Sequence, residues 1–148
     1  MSEAMLAEQQ PQDDRHCFGC GPENASGLQL RFSPVGDGSV RSETVLREEF
    51  QGWQGVAHGG IVTMLLDEAM AHAAFAAGHL AVTANIRVRF KRPTPLQQPL
   101  VLQASLVWQR AAVLGMKADL RDESGRVLAL AEGEFLARRS ATGANVAS

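Results

Sequence analysis

The sequence predicts a single α+β domain in which a mostly antiparallel β-sheet encloses one long α-helix. Three observations predict it: one apolar segment of helical length, several segments in which apolar and polar residues alternate, and a chain of 148 residues, enough for one sizeable core. Strands that follow one another after a single helix favour an antiparallel sheet. We expect the domain to occupy residues 16–138, between a flexible N-terminal segment at 1–15 and a flexible tail at 139–148.

The predicted elements begin with two strands joined by a turn. The first strand rests on three apolar residues that alternate with polar ones, Leu28, Leu30 and Phe32. The turn rests on three residues that favour chain reversal, Pro34, Gly36 and Gly38. The second strand follows at about 39–46. A loop at 51–55 then leads to a helix from about Gly59 to Ala77, which Gly78 is placed to stop.

Four further strands are predicted after the helix. The first has three alternating apolar residues, Ile86, Val88 and Phe90. The next has one apolar face, made of Leu100, Leu102, Ala104, Leu106 and Trp108. Another such face follows, made of Leu114, Met116, Ala118 and Leu120. A turn at 122–125 precedes the last strand, at about 126–137.

Composition and charge argue against several classes of protein. A formal charge of −2 argues against a nucleic-acid binder, whose surface is usually basic. No stretch reaches the length of a membrane span, because Asp67, Glu68 and His72 interrupt the most apolar segment. The N-terminus lacks the basic-then-apolar pattern of a signal peptide. We therefore expect a cytoplasmic enzyme that binds neither nucleic acid nor membranes.

The most informative segment is His58-Gly59-Gly60, which precedes an apolar helical stretch containing Asp67. Helix N-termini carry unpaired N–H groups and the positive end of the dipole, so they polarise carbonyls and bind anions. A carboxylate in apolar surroundings costs desolvation energy and is seldom kept for packing alone. Together these features predict acyl chemistry. The alternative is that Asp67 only makes a buried hydrogen bond at a subunit seam.

The spacing of the motif predicts a site shared between two subunits. Gly60 and Asp67 are seven residues apart, about 10 Å along a helix at 1.5 Å per residue. A carbonyl held by the glycine N–H could therefore hardly reach the carboxylate of the same chain. An antiparallel partner helix removes the problem, because its Asp67 would lie beside this Gly60. Two-fold symmetry then predicts two equivalent sites in a homodimer.

Two further groups of polar residues have weaker patterns. Cys17 and Cys20 form a Cys-x-x-Cys within a predicted turn, for which packing is favoured over metal or redox chemistry because no second such pair exists. Glu68 and His72 lie four apart on one helical face, which favours an ion pair or a dimer contact over a metal pair. We accordingly expect no metal site and no cofactor.

Several motifs resemble those of the hotdog-fold thioesterases, in particular the branch of phenylacetate-pathway and acyl-CoA thioesterase-like proteins. They are His58-Gly59-Gly60 with Asp67 nine positions after the histidine, the strand 82–86, the segment 91–96 and the opening Cys17-Phe18-Gly19-Cys20-Gly21. The resemblance covers about 17–136. It implies a hotdog fold, a homodimer that often pairs into a tetramer, and hydrolysis of acyl-CoA thioesters without a metal.

The resemblance also implies the roles of individual residues. Asp67 would be the catalytic carboxylate, acting as nucleophile or as general base on water. Gly60, or else Gly59, would supply the N–H that polarises the thioester carbonyl. Thr83 would orient the nucleophile or the water from the neighbouring subunit. We expect His58 to position the turn rather than to transfer a proton.

The substrate-binding candidates flank this motif. Related thioesterases carry an Asn or Gln in the loop before His-Gly-Gly, where this chain has Gly52 six residues before the histidine. Gln51 or Gln54 is the candidate substitute, and Trp53 is placed to cover the acyl pocket instead. The strand beyond the helix supplies Asn85 and four basic residues, Arg87, Arg89, Lys91 and Arg92. Arginine forks suit phosphates, so Arg89, Lys91 and Arg92 are candidates for the anionic part of CoA. The alternative is a solvated sheet face.

The sequence thus favours an acyl-CoA thioesterase acting on a short, medium or aryl acyl chain. One alternative is a non-catalytic acyl-CoA binding or sensor protein, against which the presence of Asp67 argues. A hotdog hydratase or dehydratase fits less well, because those enzymes use a different acid/base pairing, usually with a catalytic histidine.

Overall fold

The protein is described by a computed structural model of residues 13–138. The predicted flexibility of 1–12 and of the tail at 139–148 falls outside the described residues. Within the described part of the chain, no helix is both long and apolar enough to cross a membrane.

One antiparallel sheet and one long helix make up the fold of residues 13–138. The elements in chain order are β1 (Ser33–Gly36), β2 (Ser39–Val45), a short 3-10 helix (Glu48–Phe50), α1 (Gly59–Ala76), β3 (Ala81–Phe90), β4 (Pro99–Arg110), β5 (Val113–Asp122) and β6 (Val127–Ala137). The strand order is β1-β2-β4-β5-β6-β3, with every neighbouring pair antiparallel. This arrangement confirms the predicted fold class.

The core lies between α1 and the concave face of the sheet. Six helix residues are fully buried, Leu65, Leu66, Ala69, Met70, Ala73 and Ala74. They share one cluster with the inward residues of the central strands, among them Leu100, Leu102, Leu114, Leu120 and Phe135. Each fully buried leucine contributes about 1.5–3 kcal/mol, so this contact holds the helix on the sheet. The helix ends where predicted, because Gly78 adopts the left-handed φ of 89° that favours glycine.

The prediction of a first strand at Leu28–Phe32 is wrong. Leu28 and Leu30 are buried as their alternation predicts, but their N–H groups bond to Phe18 and Gly19 carbonyls at 2.8 and 3.0 Å. The segment therefore pairs with the Cys17–Cys20 turn, and Gln29 between the two leucines has a φ of 50° that no regular strand allows. The first strand begins later, at Ser33, and includes Pro34. Proline is tolerated there because β1 is an edge strand.

β3 forms the other edge of the sheet and borders the candidate site. It pairs only with β6 in the described chain, and its register shifts between Thr83 and Asn85. Ile86 and Val88 pack against the core as predicted. Phe90 is 56% exposed, because it lies at the end of the strand beside the start of α1. The edge of the sheet and the helix N-terminus thus meet at Phe90.

Candidate active site

The histidine of the His-Gly-Gly motif caps the helix. His58 occupies the position before α1, and its Nδ1 accepts a hydrogen bond from the Gly60 N–H at 2.9 Å. An accepting Nδ1 carries no proton, so the ring is the neutral tautomer protonated at Nε2. The ring thereby satisfies one of the unpaired N–H groups at the helix start. His58 fixes the geometry of the turn.

This cap changes which glycine has an available donor. The Gly60 N–H is occupied by His58, whereas the Gly59 N–H has no acceptor among the described residues. A Cβ on Gly60 would lie 3.1 Å from His58 Nδ1, which is tighter than an ordinary contact. A Cβ on Gly59 would lie 3.7 Å from the Phe90 ring, an ordinary contact. Of the two predicted donors, Gly60 and Gly59, only Gly59 therefore has a free N–H in this conformation.

The candidate carboxylate has one hydrogen-bond partner. The Thr83 Oγ1 donates to Asp67 Oδ1 at 2.7 Å, in a partly buried position between α1 and β3. The second oxygen, Oδ2, accepts no hydrogen bond from any described residue. A hydrogen bond to one oxygen fixes the orientation of the carboxylate and leaves the other oxygen for a substrate or a water.

The position of Thr83 depends on the bulge in β3. Thr83 lies opposite Phe135 of β6 and Asn85 lies opposite Glu134, so the intervening Ala84 is an extra residue in the ladder. A bulge of this kind redirects the neighbouring side chain. The contact between Thr83 and Asp67 forms within one chain, so Thr83 orients the carboxylate of its own subunit rather than that of a neighbouring one.

The free N–H and the carboxylate are far apart in the single chain. Gly59 and Asp67 are eight residues apart on α1, about 12 Å along the axis at 1.5 Å per residue. A carbonyl oxygen within about 3 Å of the Gly59 nitrogen lies beyond hydrogen-bonding reach of Asp67. One chain therefore presents two half-sites.

The candidate side chains of the loop before the helix lie at or near its surface. Gln51 Oε1 accepts a hydrogen bond from the Gly55 N–H at 3.0 Å, so its amide oxygen stabilises the loop. Trp53 is 86% exposed, so little of its side chain is covered by the rest of the described chain. A Cβ on Gly52 would lie 3.0 Å from His58 Cα, so a larger residue there would press on the helix cap.

The polar substrate-binding candidates on and after β3 fall into two groups. Arg92 Nη1 donates to the Val127 carbonyl at 2.9 Å, and Asn85 Nδ2 donates to Glu134 Oε2 at 3.3 Å, so both side chains bind neighbouring elements. Arg89 and Lys91 are exposed and have no ion pair or side-chain hydrogen bond with the rest of the described chain. The structure therefore leaves Arg89 and Lys91 available to an anion.

The family follows from the sequence pattern around this site. The profile of the thioesterase superfamily matches residues 54–129, slightly more than half of the chain and including His58, Asp67 and Thr83. The chain belongs to the thioesterase superfamily. This assignment confirms the family indicated by the sequence motifs.

Individual relatives agree with the assignment. A crystal structure of another thioesterase superfamily protein is 35% identical, with a TM-score of 0.79; the match covers 82% of this chain and 60% of that one. The chain thus spans about three-fifths of that relative's length. A protein of Archaeoglobus fulgidus that bears the provisional name of an esterase is 26% identical over 106 residues, 72% of this chain and 69% of its own.

Two further solved superfamily structures have the same fold. A phenylacetic acid degradation-related protein of Ralstonia eutropha JMP134 is 25% identical, with a TM-score of 0.69, covering 78% of this chain and 89% of that one. A thioesterase-type protein of Streptococcus pneumoniae TIGR4, solved with coenzyme A, is 21% identical, with a TM-score of 0.70, covering 74% and 85%.

Sequence reasoning missed two features of the thioesterase-fold site. The first is the hydrogen bond by which His58 caps the helix. The sequence contains a signal for it, because a histidine directly before two glycines at a helix start has an accepting ring nitrogen within reach of the second glycine N–H. The second is the bulge after Thr83, for which the sequence has no glycine or proline signal.

Proposed function

We propose that the protein is an acyl-CoA thioesterase that hydrolyses a short, medium or aryl acyl-CoA to the free acid and CoA. The observation that carries the proposal is the 2.7 Å hydrogen bond by which Thr83 orients the partly buried carboxylate of Asp67. Membership of the thioesterase superfamily supports it. Relatives from Streptococcus pneumoniae and Streptococcus mutans, solved with coenzyme A and with acetyl CoA, support a CoA thioester as the substrate.

Asp67 carries the chemical step through its free oxygen. Oδ2 either attacks the thioester carbonyl, giving a mixed anhydride that water then hydrolyses, or removes a proton from an attacking water. Thr83 holds Oδ1, so the carboxylate stays in one orientation during the attack. The CoA thiolate leaves readily and needs no strong acid catalyst. One oriented carboxylate and one oxyanion donor are therefore sufficient.

The oxyanion donor in this proposal is the Gly59 N–H. It lies at the positive end of the α1 dipole and has no acceptor among residues 13–138. His58 holds Gly60 and so keeps the first turn in place, with Gly59 exposed to the substrate. A donor already aimed at the developing negative charge stabilises the transition state without reorganisation.

A homodimer completes the site. The distance of about 12 Å along α1 separates Gly59 from Asp67 of the same chain. An antiparallel partner helix would bring the Asp67–Thr83 pair of one subunit to Gly59 of the other. The unpaired outer edge of β3 supports the same assembly, because a ten-residue edge strand offers a row of free backbone groups to a second copy. Pairing of two such dimers into a tetramer is a further part of the proposal.

The remaining candidates would hold the two ends of the substrate. Arg89 and Lys91 are free to bind the phosphates of CoA. Arg92 would hold the chain just after β3 through Val127, and Asn85 would hold the middle of β3 through Glu134. The exposed Trp53 ring would cover the acyl chain from the neighbouring subunit, next to Gln51.

The Streptococcus pneumoniae relative offers a parallel. That protein has been solved as an aspartate-to-alanine and as a threonine-to-alanine variant, and the two substituted positions lie 16 residues apart. Asp67 and Thr83 are also 16 residues apart. The parallel supports a test of these two residues as a pair.

The proposal is tested by thiol release from a panel of acyl-CoAs. We expect Asp67→Asn to lower kcat about 10²–10⁴-fold, which is the usual contribution of a general base. The loss would be larger if Asp67 is the nucleophile. Asp37→Asn, a matched change in the exposed β1–β2 turn, should leave kcat unchanged. Wild-type protein that binds acyl-CoA but releases no thiol would instead identify a sensor. Full turnover by Asp67→Asn would leave Asp67 a structural residue.

Subunit complementation tests the shared site. Asp67→Asn and Gly59→Pro are each inactive in the proposal, but a mixed dimer contains one site with both wild-type halves. Random exchange makes half of the dimers mixed, so the mixture should regain about a quarter of the wild-type activity. A site confined to one chain would show no recovery after mixing.

A further inference from the structure

A second cluster of reactive side chains lies on the other side of α1. The Sγ atoms of Cys17 and Cys20 and a carboxylate oxygen of Glu68 all lie within 4.8 Å of one another. His72, one turn further along the helix, places Nε2 at 3.6 Å from Glu68 Oε2. The sequence shows two incomplete patterns, a Cys-x-x-Cys and a Glu-x-x-x-His, neither of which has enough ligands alone. The fold brings them together.

We propose that Cys17, Cys20, Glu68 and His72 form a structural zinc site. The two sulfur atoms, one carboxylate oxygen and the imidazole Nε2 make four ligands, the number that structural zinc sites use. Thiolates favour soft or borderline ions such as Zn²⁺ over Mg²⁺ or Ca²⁺. The expectation that the chain has no metal site is thereby revised.

Two of the contacts have the spacing of ligand atoms around a tetrahedral ion. With bonds of about 2.0–2.3 Å to zinc, the ligand atoms of a tetrahedral site lie about 3.3–3.8 Å from one another. Cys17 Sγ is 3.6 Å from Glu68 Oε1, and His72 Nε2 is 3.6 Å from Glu68 Oε2. Both values lie in that range, one for each oxygen of the Glu68 carboxylate. His72 lies outside the group of three whose ligand atoms are all within 4.8 Å of one another, and it joins that group through its 3.6 Å contact with Glu68.

The backbone of the Cys17–Cys20 turn is built around the carboxylate. The turn is closed by the Gly21 N–H, which donates to the Cys17 carbonyl at 2.7 Å. Gly19 packs directly on Glu68, and a Cβ at that position would collide with the Glu68 side chain. Leu30 holds the other side of the turn through the Gly19 carbonyl at 3.0 Å. A side-chain-free residue between two cysteines therefore lets both thiols and the carboxylate approach one point.

The imidazole is also held in place. The Phe32 and His72 rings stack with centroids 4.4 Å apart and planes inclined by 21°. Burial lowers the pKa of His72, against the opposing effect of the Glu68 and Asp13 charges. Burial and the nearby Glu68 charge raise the pKa of the Cys20 thiol. Zinc binding would release the two thiol protons to solvent and leave two thiolates on the ion.

The site would anchor the N-terminal segment to the middle of α1. Cys17 and Cys20 belong to that segment, and Glu68 and His72 to the helix, so the ion would join parts of the chain that are about fifty residues apart. The alternative is an ordinary set of polar contacts, in which the Cys17 thiol donates to Glu68 and His72 pairs with the same carboxylate. A disulfide between the two cysteines is the other alternative.

The first test is the metal content of the full chain, purified under reducing conditions after growth with added zinc. We expect one zinc ion per chain in the wild type and in two controls, His16→Ala and Glu23→Gln. These controls change a histidine and a glutamate that contact each other and Arg15 rather than the cluster. Cys17→Ser and Cys20→Ser should lose the metal, and Glu68→Gln and His72→Ala should bind it more weakly. Equal metal content in wild type and Cys17→Ser would overturn the site.

The second test uses the wild-type protein alone, so it does not depend on the folding of a variant. Cobalt added to chelator-treated protein should give the sulfur-to-metal charge-transfer and tetrahedral visible bands of thiolate coordination. A thiol reagent should modify both cysteines of the chelator-treated form quickly and those of the zinc form slowly. Absence of the cobalt bands, equal thiol reactivity with and without zinc, or a disulfide that forms in preference to metal binding would each contradict the proposal.

Discussion

Replacement of Gly59 by proline removes the proposed oxyanion donor while keeping the helix. Gly59 is the first residue of α1, where an N–H has no partner within the helix and proline is well tolerated. The preceding His58 has φ −59° and ψ 136°, the extended conformation that a residue before proline prefers. Gly59→Pro is therefore expected to fold, with the His58–Gly60 cap intact.

The expected decrease in kcat equals the contribution of one hydrogen bond to the oxyanion. Removal of an oxyanion-hole hydrogen bond costs about 2.7–4 kcal/mol, or about 10²–10³ in kcat. Gly59→Ala is the matched control, because it keeps the N–H and its Cβ would meet only the Phe90 ring, at 3.7 Å. Gly60→Ala, unlike Gly59→Ala, should disturb the helix cap, because its Cβ would lie 3.1 Å from His58 Nδ1.

The assay is thiol release at saturating acyl-CoA, with Tm and the inhibition constant of free CoA measured for each variant. Gly59→Pro should show a normal Tm, normal CoA binding and a kcat at least about a hundredfold below that of Gly59→Ala. A folded Gly59→Pro protein whose kcat lies within about tenfold of the alanine variant would refute the assignment of the donor.

Three other substitutions test separate parts of the structure. Thr83→Val should lower kcat about 10- to 150-fold, the value of a hydrogen bond of about 1.5–3 kcal/mol to the Asp67 carboxylate, and Thr83→Ser should restore most of it. Arg89→Glu should raise KM for acyl-CoA but spare a small thioester without the nucleotide, and an equal loss on both substrates would count against a phosphate contact. Asp122→Asn should lower Tm at neutral pH, because a hydrogen bond from Ser124 lowers the pKa of this carboxyl to about 2. The ionised Asp122 stabilises the fold above its unfolded pKa of about 3.9, and this stabilisation is lost as the pH falls through about 2. The difference in Tm between the wild type and Asp122→Asn should therefore disappear at about that pH.

Most of the fold could be predicted because the hydrophobic pattern determines it locally. The helix and the last four strands follow from apolar residues at helical or alternating spacing, and Leu114, Met116, Ala118 and Leu120 are all buried as expected. The first strand could not be predicted correctly, because alternation of burial also arises where a segment pairs with a turn. Leu28 and Leu30 show this case, since only their bonding partners distinguish the turn at Phe18 and Gly19 from a strand.

Less of the candidate site could be predicted, because its contacts depend on features with no local signal. Motif and spacing identify His58, Gly59 and Asp67 as candidates and indicate that one chain holds two half-sites. The donor of the bond to Asp67 depends on the bulge at Ala84, and the free glycine N–H depends on the rotamer of His58. Both are set by tertiary packing rather than by residue type.

The two neighbouring acids of α1 lie in two separate proposed sites on one helix. Successive residues of a helix point about 100° apart, so Asp67 and Glu68 face different elements. Asp67 meets the Thr83 hydroxyl of β3, and Glu68 meets the Cys17 thiol and the His72 ring on the other side. The two proposals therefore fail independently. Asp67→Asn should lower kcat about 10²–10⁴-fold and leave the zinc content unchanged, whereas loss of the metal in that variant would mean that the two sides of the helix are coupled.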